Sequence, residues 1–212
     1  NGDTRGERFS RFVLSSAPFL LEDWPAFTWR GLHLDTVRHF MPIAFLKRYL
    51  QAMAFYKANV FHWHLTDDQA WRLFLPSRPK LVNASARTSP GFYELNEVRE
   101  LVKFASDLFI TIVPGIETPG HSLAALAAYP ELACVGDHFV TPKGREGVYE
   151  DILCAMTSAT TSFAKDVFAD VAKLFPAKFV HIGGDEAPST RWKQSAELRN
   201  YAQKKQFRKF DV

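Results

Sequence analysis

Apolar residues recur along the chain in two alternating rhythms. Residues 30–35, Arg30-Gly31-Leu32-His33-Leu34-Asp35, read as a short strand. Residues 42–57 open at Pro42 and carry Ile43, Leu46, Leu50 and Met53 at helical spacing. A second strand follows over 60–65, Val60-Phe61-His62-Trp63-His64-Leu65. Residues 97–108 set Val98, Leu101, Val102 and Ala105 on one helical face. Residues 109–114 are rich in β-branched side chains and end at Pro-Gly, which predicts a third strand. Phe163, Val167, Phe168, Val171 and Leu174 predict a third helix over 161–175. A fourth strand is predicted over 179–184 and a more polar helix over 194–205.

Strand and helix thus alternate four times. Parallel strands need helical crossovers, so the pattern predicts an α/β fold with a parallel sheet. It fits a (β/α)8 barrel or a doubly wound sheet. The turn after the first strand reads Asp35-Thr36-Val37-Arg38 and lacks the glycines of a dinucleotide site, which disfavours the Rossmann form. The connections over 66–96 and 114–160 are long, as functional loops or loops with small elements of their own are. Residues 1–22 mix acidic and basic residues with Phe12-Val13-Leu14 and Phe19-Leu20-Leu21. Acidic residues in the would-be positive region, and Ser15, Ser16 and Pro18 in the apolar stretch, argue against a signal peptide.

Composition narrows the classes. Hydrophobic residues are 47% and charged residues 23% of the 212, which excludes wholesale disorder. A net charge of +3 gives no concentrated basic surface, so no nucleic-acid partner is expected. No apolar run reaches the roughly 18 residues of a membrane span. Two cysteines exclude a disulfide-rich miniprotein and an all-cysteine zinc site. Cys134 and Cys154 are a disulfide pair if the protein is exported and buried thiols otherwise. Asn83-Ala84-Ser85 fits the glycosylation sequon. Trp24, Trp29, Trp63, Trp71 and Trp192 read as core or loop packing rather than sugar platforms. The chain starts at Asn1 without Met, as a piece of something longer would.

The candidate chemistry sits where an α/β barrel puts it, on the loops after the strands. Asp35, Arg38 and His39 follow the first strand, Asp67 and Asp68 the second, Glu117 and His121 the third. Asp185 and Glu186 end the fourth, after Gly183-Gly184. Adjacent strand residues point to opposite faces, so this pair suits two different roles on one reacting centre, one orienting and one transferring a proton. The two glycines let a ligand approach the backbone. Arg38 can donate a fork of hydrogen bonds to vicinal hydroxyls or a carboxylate. His62 and His64 share a strand face and raise a metal-site alternative, but read better as packed barrel histidines, and no metal or other cofactor is expected.

The motifs Trp29-Arg30-Gly31-Leu32-His33-Leu34-Asp35 with Arg38-His39-Phe40, His62-Trp63-His64-Leu65-Thr66-Asp67-Asp68-Gln69, Pro119-Gly120-His121, and His181-Ile182-Gly183-Gly184-Asp185-Glu186 occur in the order of the family 20 glycoside hydrolases. The chain resembles that family, the β-N-acetylhexosaminidases, over nearly everything after residue 22. The resemblance implies a (β/α)8 TIM-type barrel of which about the first four β/α units are present. Residues 23–212 would be a partial catalytic barrel, and residues 1–22 the remnant of a preceding α+β domain or a linker.

It further implies removal of terminal β-linked N-acetylglucosamine or N-acetylgalactosamine by substrate-assisted, retaining catalysis. Glu186 would be the general acid/base and Asp185 would hold the acetamido N–H. Asp67 and His121 would form a relay behind Glu186, and Arg38 would bind hydroxyls of the sugar. The partner would be a carbohydrate with a terminal N-acetylhexosamine, and the location secreted, periplasmic or lysosomal. Gly115 stands where the family often has glutamate, and Glu117 where it usually has aspartate.

Two alternatives accompany this reading. One is a non-catalytic fragment with residual sugar binding, or one needing a partner to complete the barrel. Its open sheet edges would invite association, including a homodimer. The other is a metal-dependent barrel hydrolase built on His62 and His64.

Overall fold

The computed structural model describes residues 22–87, 90–142 and 147–205. The segment over 1–22 therefore lies outside the described residues, apart from Glu22. Three parallel strands, β1 (Gly31–Asp35), β2 (Val60–His64) and β3 (Thr111–Gly115), form a sheet in the order β1-β2-β3. Strands in chain order, each beside the last, wind in one direction, as in a barrel. A doubly wound sheet reverses its order at a switch point. The register sets Asp35 beside His64 and His64 beside Gly115, so the three carboxyl ends are level.

The predicted fourth strand shrinks to a bridge between Gly115 and His181. The His181 amide donates to the Pro114 carbonyl, the Ile116 amide to His181 and the Thr118 amide to Ile182, at 2.9, 2.9 and 3.0 Å. Phe179 and Ile182 stay exposed, and among the described residues no strand pairs with the far side. Gly183 and Gly184 then turn away with φ of 72° and 112°, ending the ladder early.

The longer helices each bury an apolar stripe in the core. α1 (Ile43–Phe55) buries Leu46, Leu50 and Met53. α2 (Leu95–Asp107) starts at a capping box of Glu94 and Glu97 and buries Val98, Leu101 and Ala105. α3 (Leu123–Ala128) lies inside the long connection after β3. α4 (Ser158–Leu174) begins before the predicted 161 because the Thr157 side chain caps the Thr160 amide. The predicted helix over 194–205 is two, α5 (Thr190–Gln194) and α6 (Ala196–Lys204). Ser195 breaks it by accepting from the Leu198 amide, a side-chain bond that competes with helix continuation. The long connection after β2 carries a 3₁₀ segment, Pro79–Arg87.

Alternation along β2 separates core from site. Phe61 and Trp63 are fully buried among helix side chains such as Leu50, Leu101 and Val171. His62 and His64 face the other way, toward His33 of β1 and His181. Cys134 and Cys154 are joined by a disulfide within the connection after β3. Trp63 and Trp71 pack in the core, Trp29 is half exposed with its ring edge-to-face on Phe179, and Trp24 is exposed, contrary to the packing expected of it.

Candidate active site

The site is assembled from four loop starts at the level carboxyl edge. After β1, Asp35 Oδ1 accepts from the Val37 and Arg38 amides at 2.7 and 3.1 Å, which folds the turn back on itself. Arg38 then reaches Asp35 Oδ2 with Nη1 and Asp67 Oδ2 with Nη2, each at 2.8 Å. After β2 the chain doubles back at once, with the Asp67 amide donating to Ala70 O at 3.0 Å and Thr66 bridging Trp71. That turn leaves Asp67 and Asp68 only 1% exposed.

Asp67 is the hub. Its Oδ2 also faces His64 Nε2 at 2.7 Å. Its Oδ1 accepts from the Asp68 amide at 2.7 Å and faces His121 Nδ1 at 3.2 Å. Burial alone pushes this carboxyl up, but His121, His64, the Asp68 amide and Arg38 together hold it well below the usual carboxylate range.

His121 follows a cis Thr118–Pro119 bond and has φ of 51°. The Leu123 amide donates to Asp68 Oδ1 at 3.0 Å and ties the start of α3 to the second loop. Gly120 permits close approach: a Cβ there would stand 3.1 and 3.2 Å from the carbonyls of Asp185 and Glu186. His121 Nε2 consequently lies 3.3 Å from Glu186 Oε2, and Nδ1 also faces Asp68 Oδ2 at 3.5 Å. The Asp67 and Asp68 carboxylates outweigh burial and push the His121 imidazole up to about 10.

Asp185 and Glu186 do not point to opposite sides as strand alternation would have them. Both line one cavity of about 230 Å³ with Arg38, Asp67 and His121. The positive φ of Gly183 and Gly184 and the left-handed Glu186, φ 45°, end the alternation and turn both carboxylates inward. Glu186 is about half exposed and thus open to a ligand. His39 is exposed and lies outside this lining.

The sequence reading missed how much of the site His64 and Glu117 form. Glu117 is 5% exposed, with Oε1 3.5 Å from His64 Nδ1 and 3.7 Å from His181 Nδ1. The i, i+2 pair is a visible signal, but it reads as packed barrel histidines, with a metal site as the alternative. The structure separates the two rings. His64 has both nitrogens against carboxylates, while burial and the neighbouring His33, His181 and His64 push His62 down to about 4. Among the described residues the acidic and histidine atoms that converge are those of Asp67, Asp68 and His121, and of His121, Asp185 and Glu186; neither set includes His62 or His64. His121 pairs with Asp67 and Asp68 in the first set and with Glu186 in the second.

Comparison with known proteins places this site in context. Residues 27–211 match the model of glycosyl hydrolase family 20, catalytic domain. A β-hexosaminidase of Porphyromonas gingivalis is 47% identical over 180 residues, which are 82% of this chain and 23% of that protein. The crystal structure of a β-N-acetylhexosaminidase superposes with a TM-score of 0.84 at 35% identity, covering 88% of this chain and 42% of that one. A mutant Streptomyces plicatus β-hexosaminidase in complex with product (GlcNAc) gives 0.72 at 37% identity, covering 85% and 37%. The chain thus spans less than half the length of these relatives.

Proposed function

The chain belongs to glycosyl hydrolase family 20, and on that premise we propose that the protein removes terminal β-linked N-acetylhexosamine by substrate-assisted, retaining hydrolysis. The observation that carries the reading is the run of contacts from Asp67 through His121 to Glu186, 3.2 and 3.3 Å long, with Asp185 beside it. The fold agrees: the strands follow the one-way order of a TIM-type barrel, and the site lies at their carboxyl edge. Residues 23–212 are then part of the catalytic barrel, and residues 1–22 belong to a preceding domain or linker.

In the first step the substrate's acetamido oxygen attacks its own anomeric carbon. The glycosidic C–O bond breaks, and Glu186 passes its proton to the leaving oxygen. The product of this step is an oxazolinium-type ring, whose positive charge on the acetamido nitrogen faces Asp185. Glu186, now a carboxylate, takes a proton from water as that water opens the ring, so the anomeric configuration is retained. His121, held by Asp67, orients the Glu186 carboxyl. Arg38, anchored by Asp35 and Asp67, holds hydroxyls of the terminal sugar. The Cys134–Cys154 disulfide favours an oxidising compartment outside the cytosol.

The test is hydrolysis by the full chain of paired p-nitrophenyl β-glycosides, one with the 2-acetamido group and one with a 2-hydroxyl. Turnover of the acetamido substrate at least about 10³-fold faster is expected from loss of the internal nucleophile. Equal turnover of both would reject substrate assistance.

A further inference from the structure

We infer that His64 is a positioning residue of this site: donating from both ring nitrogens, it clamps Asp67 against Glu117 and so fixes the carboxylate that Arg38 and His121 share. The inference uses the proposed hydrolysis only for its kinetic readout.

The geometry is two-sided. His64 Nε2 is 2.7 Å from Asp67 Oδ2, and Nδ1 is 3.5 Å from Glu117 Oε1. A neutral imidazole has one N–H, and its second nitrogen is an acceptor. With a carboxylate at each nitrogen, a neutral ring sets acceptor against acceptor on one side. All three residues are at least nine-tenths buried, which removes the bulk water that would otherwise soften that contact. A doubly protonated ring satisfies both sides.

The surrounding charges favour that state. Asp67, Glu117 and Asp35 face His64, against the Arg38 guanidinium, whose Nη1 is 3.3 Å from Nε2. The His33 ring, with its centroid 5.6 Å away, opposes the charge. Burial lowers the His64 imidazole, and the carboxylates overcome it, raising it to about 9.

The consequence reaches both arms of the site. Asp67 Oδ2 takes bonds from His64 and Arg38, while Oδ1 serves His121. Without His64, Oδ2 is left to Arg38 while Oδ1 keeps the Asp68 amide, so the carboxylate turns about that anchor and its line to His121 loosens. Glu117 is then left, among the described residues, with the longer ion-pair contact to His181 Nδ1. A residue that merely filled space would need its ring and neither N–H.

Two substitutions in the full chain separate these roles. His64→Gln places an amide donor where Nε2 stood, and His64→Phe fills the space without donating. His64→Phe is expected to lose about 100-fold in kcat/KM on the N-acetylated aryl glycoside, the scale of one hydrogen bond to a charged group. His64→Gln is expected to recover at least about tenfold of that loss. Equal loss in both variants, with melting temperatures matching the parent, overturns the clamp, as does a fully active His64→Phe.

If His64→Phe does not fold, or the parent shows no hydrolysis, nitrogen NMR of the parent decides. Both ring nitrogens of His64 protonated at pH 7.5 supports the clamp, and a neutral ring overturns it. An inactive parent with a protonated His64 would reject the proposed hydrolysis and leave the clamp standing.

Discussion

His121 holds Nε2 3.3 Å from Oε2 of Glu186. The same ring turns its other nitrogen to the buried Asp67, so one imidazole joins an exposed carboxyl to a fixed negative charge. Glu186 is the member of this line that a substrate can reach. Glu186→Gln keeps the shape and removes the proton, so kcat on an N-acetylated aryl glycoside should fall about 10²–10⁴-fold. Steady-state kinetics with circular dichroism of the variant checks this, and undiminished turnover would reject the assignment.

Arg38 offers a planar fork to Asp35 and Asp67, which a lysine ammonium cannot reproduce. Arg38→Lys is expected to raise KM about tenfold or more, with a smaller effect on kcat, as loss of sugar binding would. A larger fall in kcat than rise in KM would mean that Arg38 works mainly through Asp67.

Gly183 has φ of 72°, and a Cβ there would run into the Glu117 carboxylate. Gly183→Ala adds both the left-handed penalty and that collision, about 1–3 kcal/mol together. The strain falls two residues before Asp185, so a lower melting temperature and impaired catalysis should appear together. Loss of neither would show that the turn relaxes freely.

Stability should peak near pH 6.5. His64 and His121 are raised to about 9 and about 10, so the native state holds their protons longer than the unfolded chain does. Their contribution is full below about pH 6.5 and is lost as pH rises through 9 to 10. His62 is lowered to about 4 by burial and by neighbouring histidines, so its contribution is lost as pH falls from 6.5 toward 4. Melting temperature against pH should show both limbs, and His62→Phe should flatten the acid one. An unchanged acid limb in that variant would place its origin elsewhere.

The Cys134–Cys154 bridge closes a loop with a sequence separation of 20, worth about 3 kcal/mol in the chain-entropy view. Replacing both cysteines with serine should lower the melting temperature by several degrees and loosen the connection after β3. Differential scanning calorimetry with and without reductant gives the same comparison, and identical traces would contradict it.

Much of this was written in local pattern. The periodicity of Leu46, Leu50 and Met53, or of Val98, Leu101 and Ala105, marks helices because each stripe must be buried somewhere. Alternation in β2 separates Phe61 and Trp63 from His62 and His64. The motif order was enough to point to a barrel and to name Arg38, Asp67, His121, Asp185 and Glu186 as a group. Element ends were less legible. Ser195 splits a helix, and the strand predicted over 179–184 keeps only a bridge, since side-chain hydrogen-bond competition and the backbone turn at Gly183 and Gly184 leave no mark on periodicity.

The sequence by itself determined which strand each candidate residue follows. Only the tertiary structure decided how they meet. Parallel register brings Asp35, His64 and Gly115 level, and backbone turns at Gly183, Gly184 and Glu186 swing two adjacent carboxylates into one cavity. Spatial neighbours and burial then set apart three histidines that look alike in the chain. His64 and His121 are raised by the carboxylates they face, and His62 is lowered by burial and by the neighbouring histidines. Charge state depends on what lies within a few ångströms in space, and those neighbours come from strands and loops far apart in the chain.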